Sequence, residues 1–125
     1  MTILWIAVFG ALGSLSRFAV SLWLAPRTSA EFPWSTVLVN LFGCLVIGVL
    51  IGSGLLDNPK YPFLRAAAVT GFLGAFTTFS AFSAETWLLV EAGRTVPAIL
   101  YVTTTIIGCL MLTAVGYSVA RIGGQ

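Results

Sequence analysis

Four long apolar blocks, set apart by short polar breaks, organise the chain. They cover residues 3–25, 34–56, 63–90 and 97–122. Each supplies the roughly 20 apolar residues that a helix needs to cross a hydrocarbon core. The pattern therefore predicts four transmembrane helices in a single membrane domain, 1–125, with no room for a soluble module. The breaks read as turns. Pro26-Arg27-Thr28-Ser29-Ala30-Glu31-Phe32-Pro33 is polar and bounded by proline. Asp57-Asn58-Pro59-Lys60-Tyr61-Pro62 is a dense breaker cluster, and Glu91-Ala92-Gly93-Arg94 is short and charged. Trp34, Tyr61 and Trp87 fall near block ends, where interfacial aromatics belong. The first block lacks a basic leader and runs past Arg17 to Pro26, so it is not read as a secretory signal.

Composition narrows the class. The chain is 58% hydrophobic and 8% charged, with a mean hydropathy of +1.03. An average soluble domain carries about 25% charge. A soluble enzyme, a disordered tail and a nucleic-acid binder are poor fits, and a net charge of +2 is too small to attract a polyanion. The sequence has no His, so the commonest general base and metal ligand is missing. Cys44 and Cys109 lie in apolar runs far from any CxxC spacing, and are expected to be buried free thiols.

Small-residue spacings at Gly48/Gly52, Gly10/Ser14 and Ala67/Gly71 predict close helix contacts without naming the partner. Four short spans enclose little interior for a pore, which predicts an oligomer. Orientation is nearly undetermined by charge. The side holding both termini has Lys60, Arg65 and Arg121; the other has Arg27 and Arg94. Three basic residues against two give the positive-inside rule little to read. A single orientation and dual topology with an antiparallel dimer both stay open.

Charges within membrane spans need a reason. Arg17 lies about 12 Å from the end of its block at 1.5 Å per residue. It could anchor by snorkelling, or draw anions into a vestibule. Glu85, near the end of the third block, is expected to be a helix-end carboxylate facing water. Asn40 is the sole Asn within a span; it could tie two helices together or donate an N–H to a passing anion.

The third block holds Gly71-Phe72-Leu73-Gly74-Ala75-Phe76-Thr77-Thr78-Phe79-Ser80-Ala81-Phe82-Ser83. Glycine and β-branched threonine weaken a helix, and hydroxyls can take over backbone partners. A break is expected here, unless the hydroxyls bond back to their own helix. Such breaks survive at membrane depth only where protein or a water cavity satisfies them. Phe79 and Phe82 share a helical face; they could simply pack, or present positive ring edges to an anion. Tyr101, Thr105 and Cys109 recur at every fourth residue of the last block as a mildly polar stripe.

Taken in order, these motifs resemble the Fluc, or CrcB-type, fluoride channel family. They are Gly10-x-x-Gly13-x-x-x-Arg17, Val39-Asn40-x-x-Gly43, and Gly71-Phe72-x-Gly74-x-x-Thr77-Thr78-Phe79-Ser80-x-Phe82, in a four-span chain with nearly balanced basic flanks. The third motif is specific, and the resemblance spans essentially the whole chain. It implies an antiparallel, dual-topology homodimer in the inner (plasma) membrane, with two passive fluoride pathways and a central structural sodium ion. Asn40, Phe79 and Phe82 would then face fluoride. Thr78, Ser80, Tyr101 and Thr105 would line a polar track, and Arg17 a vestibule. Backbone carbonyls of Gly74 and Thr77 would hold sodium. Ala81 and Ala75 depart from the usual motif without touching those positions. Cys109 stands where a hydroxyl might continue the track.

Rival readings have less support. A small multidrug-resistance transporter needs a carboxylate in its first span, and here that span carries Arg17 and no Asp or Glu. An accessory membrane subunit would leave the Asn, paired Phe and Gly/Thr segment unexplained. An intramembrane enzyme lacks His, a deep carboxylate pair and a serine with a base.

Overall fold

The computed structural model describes residues 1–28 and 32–124. The part of the first expected turn at 29–31 lies outside the described residues. Helix α1 spans Thr2–Leu24 and α2 spans Trp34–Gly52. A single 3-10 turn follows at Leu55–Asp57. The third membrane segment is composite: a π-helical segment at Arg65–Leu73, one α-turn at Gly74–Phe76 (α3), and α4 at Phe79–Glu91. Helix α5 spans Thr95–Gly123. All four segments, counting Arg65–Glu91 as one, are long and apolar enough to cross a membrane. The chain is an all-helical, multi-pass membrane protein.

Helix ends follow local chemistry. The second block was expected to stay helical to 56, but α2 stops at Gly52 because Gly54 turns left-handed, with φ of +68°. Gly93 does the same after α4, with φ of +71°. There the Arg94 N–H closes on the Leu89 carbonyl and the Gly93 N–H on Val90, a Schellman ending. Helix α5 starts two residues before Pro97, which fits the first turn because its missing N–H has no helical partner there.

Glycines let the helices touch backbone to backbone. A Cβ on Gly48 would stand 2.2 Å from the Thr113 carbonyl oxygen, and one on Gly52 2.3 Å from that of Tyr117. Gly116 returns the contact, 2.4 Å from Leu45 O. The Gly48/Gly52 spacing is thus spent within the chain, on α5. Helix α1 meets the π-segment the same way: a Cβ on Gly13 would lie 2.3 Å from Phe72 O, whereas Gly10 has more room. Replacing Gly13 by Ala should cost about 1–3 kcal/mol, as overpacking typically does. A lower thermal midpoint in detergent checks this; an unchanged midpoint would mean that α1 slides freely on its neighbour.

Candidate functional site

The third segment breaks at Thr77 and Thr78. Both are extended, with φ/ψ of −82°/159° and −152°/120°. Upstream, the Thr77 N–H and hydroxyl both donate to the Leu73 carbonyl, at 2.9 and 2.8 Å. Downstream, Thr78 caps α4: its hydroxyl oxygen accepts from the Ala81 N–H at 3.2 Å. Replacing Thr78 by Ala should cost about 1 kcal/mol, the usual worth of such a cap. Ser at that position should restore the lost thermal stability, since it keeps the accepting oxygen.

Asn40 of α2 secures the break from outside. The Thr78 N–H donates to Asn40 Oδ1 at 2.8 Å, and Asn40 Nδ2 donates to the Thr78 carbonyl at 3.1 Å. The backbone N–H fixes which end of the amide is oxygen. An amide carries two N–H groups, so this pair of bonds occupies one and leaves the second available. Gly43, three residues on, gives Thr77 its space: a Cβ there would fall 2.2 Å from the threonine methyl.

These bonds strip two carbonyls of their helical partners. In a continuous helix each carbonyl accepts from the N–H four residues ahead. The Thr78 N–H, due to Gly74, goes to Asn40; the Ala81 N–H, due to Thr77, goes to the Thr78 side chain.

A groove of about 240 Å³ opens beside the break, lined by Asn40, Cys44, Thr77, Thr78, Phe79, Phe82, Thr105, Ile106 and Cys109. Phe79 and Phe82 touch at 5.5 Å between ring centres. Phe82 is buried, whereas Phe79 is 77% exposed on the lone chain. The Thr105 hydroxyl oxygen is buried without a hydrogen-bond partner among the described residues. A second groove, of about 250 Å³, includes Ser14, Arg17, Ser21, Thr36 and Glu85. Thr78 lines both.

The family model described as CrcB-like protein, Camphor Resistance (CrcB), matches residues 4–117. The chain belongs to the CrcB family. Among its relatives, a protein of Bordetella petrii named fluoride-specific ion channel FluC is 44% identical over 117 residues, covering 93% of this chain and 88% of the relative. The protein of the same name from Geotalea daltonii is 39% identical, covering 96% and 97%. That from Stutzerimonas stutzeri is 40% identical and covers 94% of each.

Six of the residues singled out in this CrcB chain's sequence come together in the first groove: Asn40, Thr77, Thr78, Phe79, Phe82 and Thr105. Arg17 sits in the second. Ser80 is exposed and shares a 3.3 Å hydrogen bond with Thr78 Oγ1. Gly74 is exposed at the upstream edge of the break. Tyr101 is fully buried behind Phe82, 5.2 Å between ring centres, and its hydroxyl donates to Glu85 at 2.5 Å.

Glu85 corrects one expectation. It is not a helix-end carboxylate left to water. It accepts from Tyr101 on one oxygen and from Thr36 Oγ1, at 2.9 Å, on the other. A carboxylate half-buried among helices is held by such donors. Cys44 and Thr36 are groove residues not expected from the sequence. Their spacing was the available signal: Thr36, Asn40 and Cys44 stand four apart, on one face of α2. The two cysteines are free thiols, as expected, but half-buried rather than fully buried.

Proposed function

We propose that this chain is a passive, fluoride-selective channel that exports cytoplasmic fluoride across the inner (plasma) membrane. The observation that carries the proposal is the first groove. It gathers an amide with a spare N–H, a buried hydroxyl without a partner, and two phenylalanine rings, with no charged side chain among its lining residues. Fluoride is small and strongly hydrated. A path for it must replace water with donors that bind without trapping. The Asn40 N–H, the Thr105 hydroxyl and the positive edges of Phe79 and Phe82 are donors of that kind. Arg17 in the adjoining groove would concentrate anions at the entrance, and Thr78, common to both grooves, would mark the passage between them. The names of the relatives support fluoride as the anion.

The working unit in this proposal is an antiparallel, dual-topology homodimer with two pathways. The nearly even basic flanks favour insertion in both orientations. Phe79 stands largely uncovered on a single chain, and Phe42, Phe72 and Phe76 line a wide apolar groove of about 520 Å³. A second copy would cover such surfaces. The Gly74 and Thr77 carbonyls, freed at the break, suit a hard cation that takes oxygen ligands. One chain offers only two, so a structural sodium ion would be shared between two copies. It would supply positive charge at the junction, while this chain's own part is to hold both carbonyls out of the helix through Asn40 and Thr78.

Export needs no energy source beyond the membrane potential. Hydrogen fluoride crosses bilayers as a neutral molecule and dissociates in a less acidic interior. An inside-negative potential then drives the anion out at about 2.3 kcal/mol per charge per 100 mV. The test is efflux from liposomes holding the purified protein, followed with a fluoride electrode beside a chloride control. Rapid loss of fluoride without chloride is the expected result. Retention of both ions by intact dimeric protein would overturn the proposal.

A further inference from the structure

Cys44 and Cys109 have no role in the proposed anion path, yet both stand beside it. Cys44 lies one turn beyond Asn40 on α2, and Cys109 one turn beyond Thr105 on α5. Both line the first groove, and both are half-buried free thiols. Their backbones are locked in register. The Thr113 hydroxyl lies 3.1 Å from the Cys44 carbonyl and 3.0 Å from the Cys109 carbonyl, donating between them. The Gly48 and Gly116 contacts next to it hold α2 and α5 at backbone distance. The pair therefore brings two half-buried sulfurs to one groove, on two helices whose backbones are held together there.

We propose that Cys44 and Cys109 bind a soft, two-coordinate d10 cation of the mercuric class, and that the bound ion closes the groove. Sulfur ligands select soft metals. The ligand number selects among them. Zinc sites are almost always four-coordinate, and among the described residues no three His, Cys, Asp or Glu side chains gather to hold a metal. Two thiols satisfy an ion that prefers a linear pair. Charge selects again. Hg²⁺ forms two Hg–S bonds as both S–H bonds break, and the two protons leave through the groove to water. The product is a neutral bis-thiolate, which avoids burying net charge within the membrane. The ion would sit one turn from Asn40 and Thr105, across the route that the channel proposal assigns to fluoride. The occlusion part of the inference rests on that proposal; the binding part does not.

The test titrates detergent-purified full-length protein with Hg²⁺ in chloride-free buffer. It reads sulfur-to-mercury absorption and the number of sulfur neighbours by X-ray absorption. One Hg²⁺ per chain with two sulfurs is expected. It should survive a monothiol competitor that strips Cys44→Ser and Cys109→Ser at least about a hundredfold more readily, since the second thiol binds intramolecularly. Two Hg²⁺ per chain, one sulfur per ion, or equal retention by the single variants would overturn the site. In liposomes, Hg²⁺ should cut fluoride efflux at least about tenfold in the native protein. Each variant is compared with its own metal-free efflux and should lose less. Binding with undiminished efflux would overturn the occlusion, whereas absent efflux before metal is added would overturn the channel proposal and leave the binding result standing.

Discussion

Replacing Asn40 by Asp should remove nearly all fluoride efflux at neutral pH. Two effects act together. The ionised carboxylate still accepts from the Thr78 N–H, but it has no donor for the Thr78 carbonyl that Asn40 Nδ2 serves. Leaving that buried carbonyl unsatisfied costs about 1–3 kcal/mol. The larger effect is charge. A carboxylate about 4 Å from a passing anion, at an effective dielectric constant near 20, opposes it by about 4 kcal/mol. That is roughly a thousandfold in flux. Protonation would neutralise the introduced carboxyl and give it a donor, so efflux should recover as pH falls. Liposome efflux across a pH series, corrected for protein-free leak, reads both. Flux at the native level at neutral pH would remove Asn40 from the path.

Replacing Phe82 or Phe79 by Ile separates conduction from packing. Each variant loses a ring edge, so each should lose about tenfold or more in fluoride flux, the scale of one weak donor worth about 1.4 kcal/mol. Stability should divide them. Phe82 is buried against Phe79 and Tyr101, at 5.5 and 5.2 Å between ring centres. Aromatic pairs are worth about 0.5–1.5 kcal/mol beyond their buried area, so its replacement should also lower the thermal midpoint. Phe79 is 77% exposed on the chain and gives up only its contact with Phe82, so its replacement should lower the midpoint less. Flux falling in proportion to the midpoint across the two variants would reduce the rings to packing. Unchanged flux in both would take them out of the mechanism.

The four spans were legible because hydrocarbon thickness sets helix length, and 58% apolar content leaves no other way to arrange the blocks. The break was legible in outline: Gly74, Thr77, Thr78 and Ser80 crowd residues that leave a helix easily. Its position was not. Thr78 is extended because Asn40, 38 residues earlier, takes its N–H and carbonyl, and no local pattern announces a partner that distant. Glu85 failed for the same reason. Its distance from the end of the third block suggested water, yet Thr36 and Tyr101 come from two other helices. The stripe of Tyr101, Thr105 and Cys109 was visible as a period of four, but periodicity does not say which neighbour meets it. Tyr101 meets Glu85, while Thr105 and Cys109 meet the groove. The π-winding of Arg65–Leu73 has no marker in its residues at all.

The hold of Asn40 on Thr78 also bears on biogenesis. A broken backbone inserted alone into lipid would expose polar groups that nothing nearby could satisfy. A ribosome delivers this chain from its N-terminus, so α2 enters the membrane before residues 77–78 emerge. The amide that stabilises the break is therefore already in place when the break arrives. Reversing the order of those two segments, by circular permutation, would send the third segment into the bilayer without its clasp.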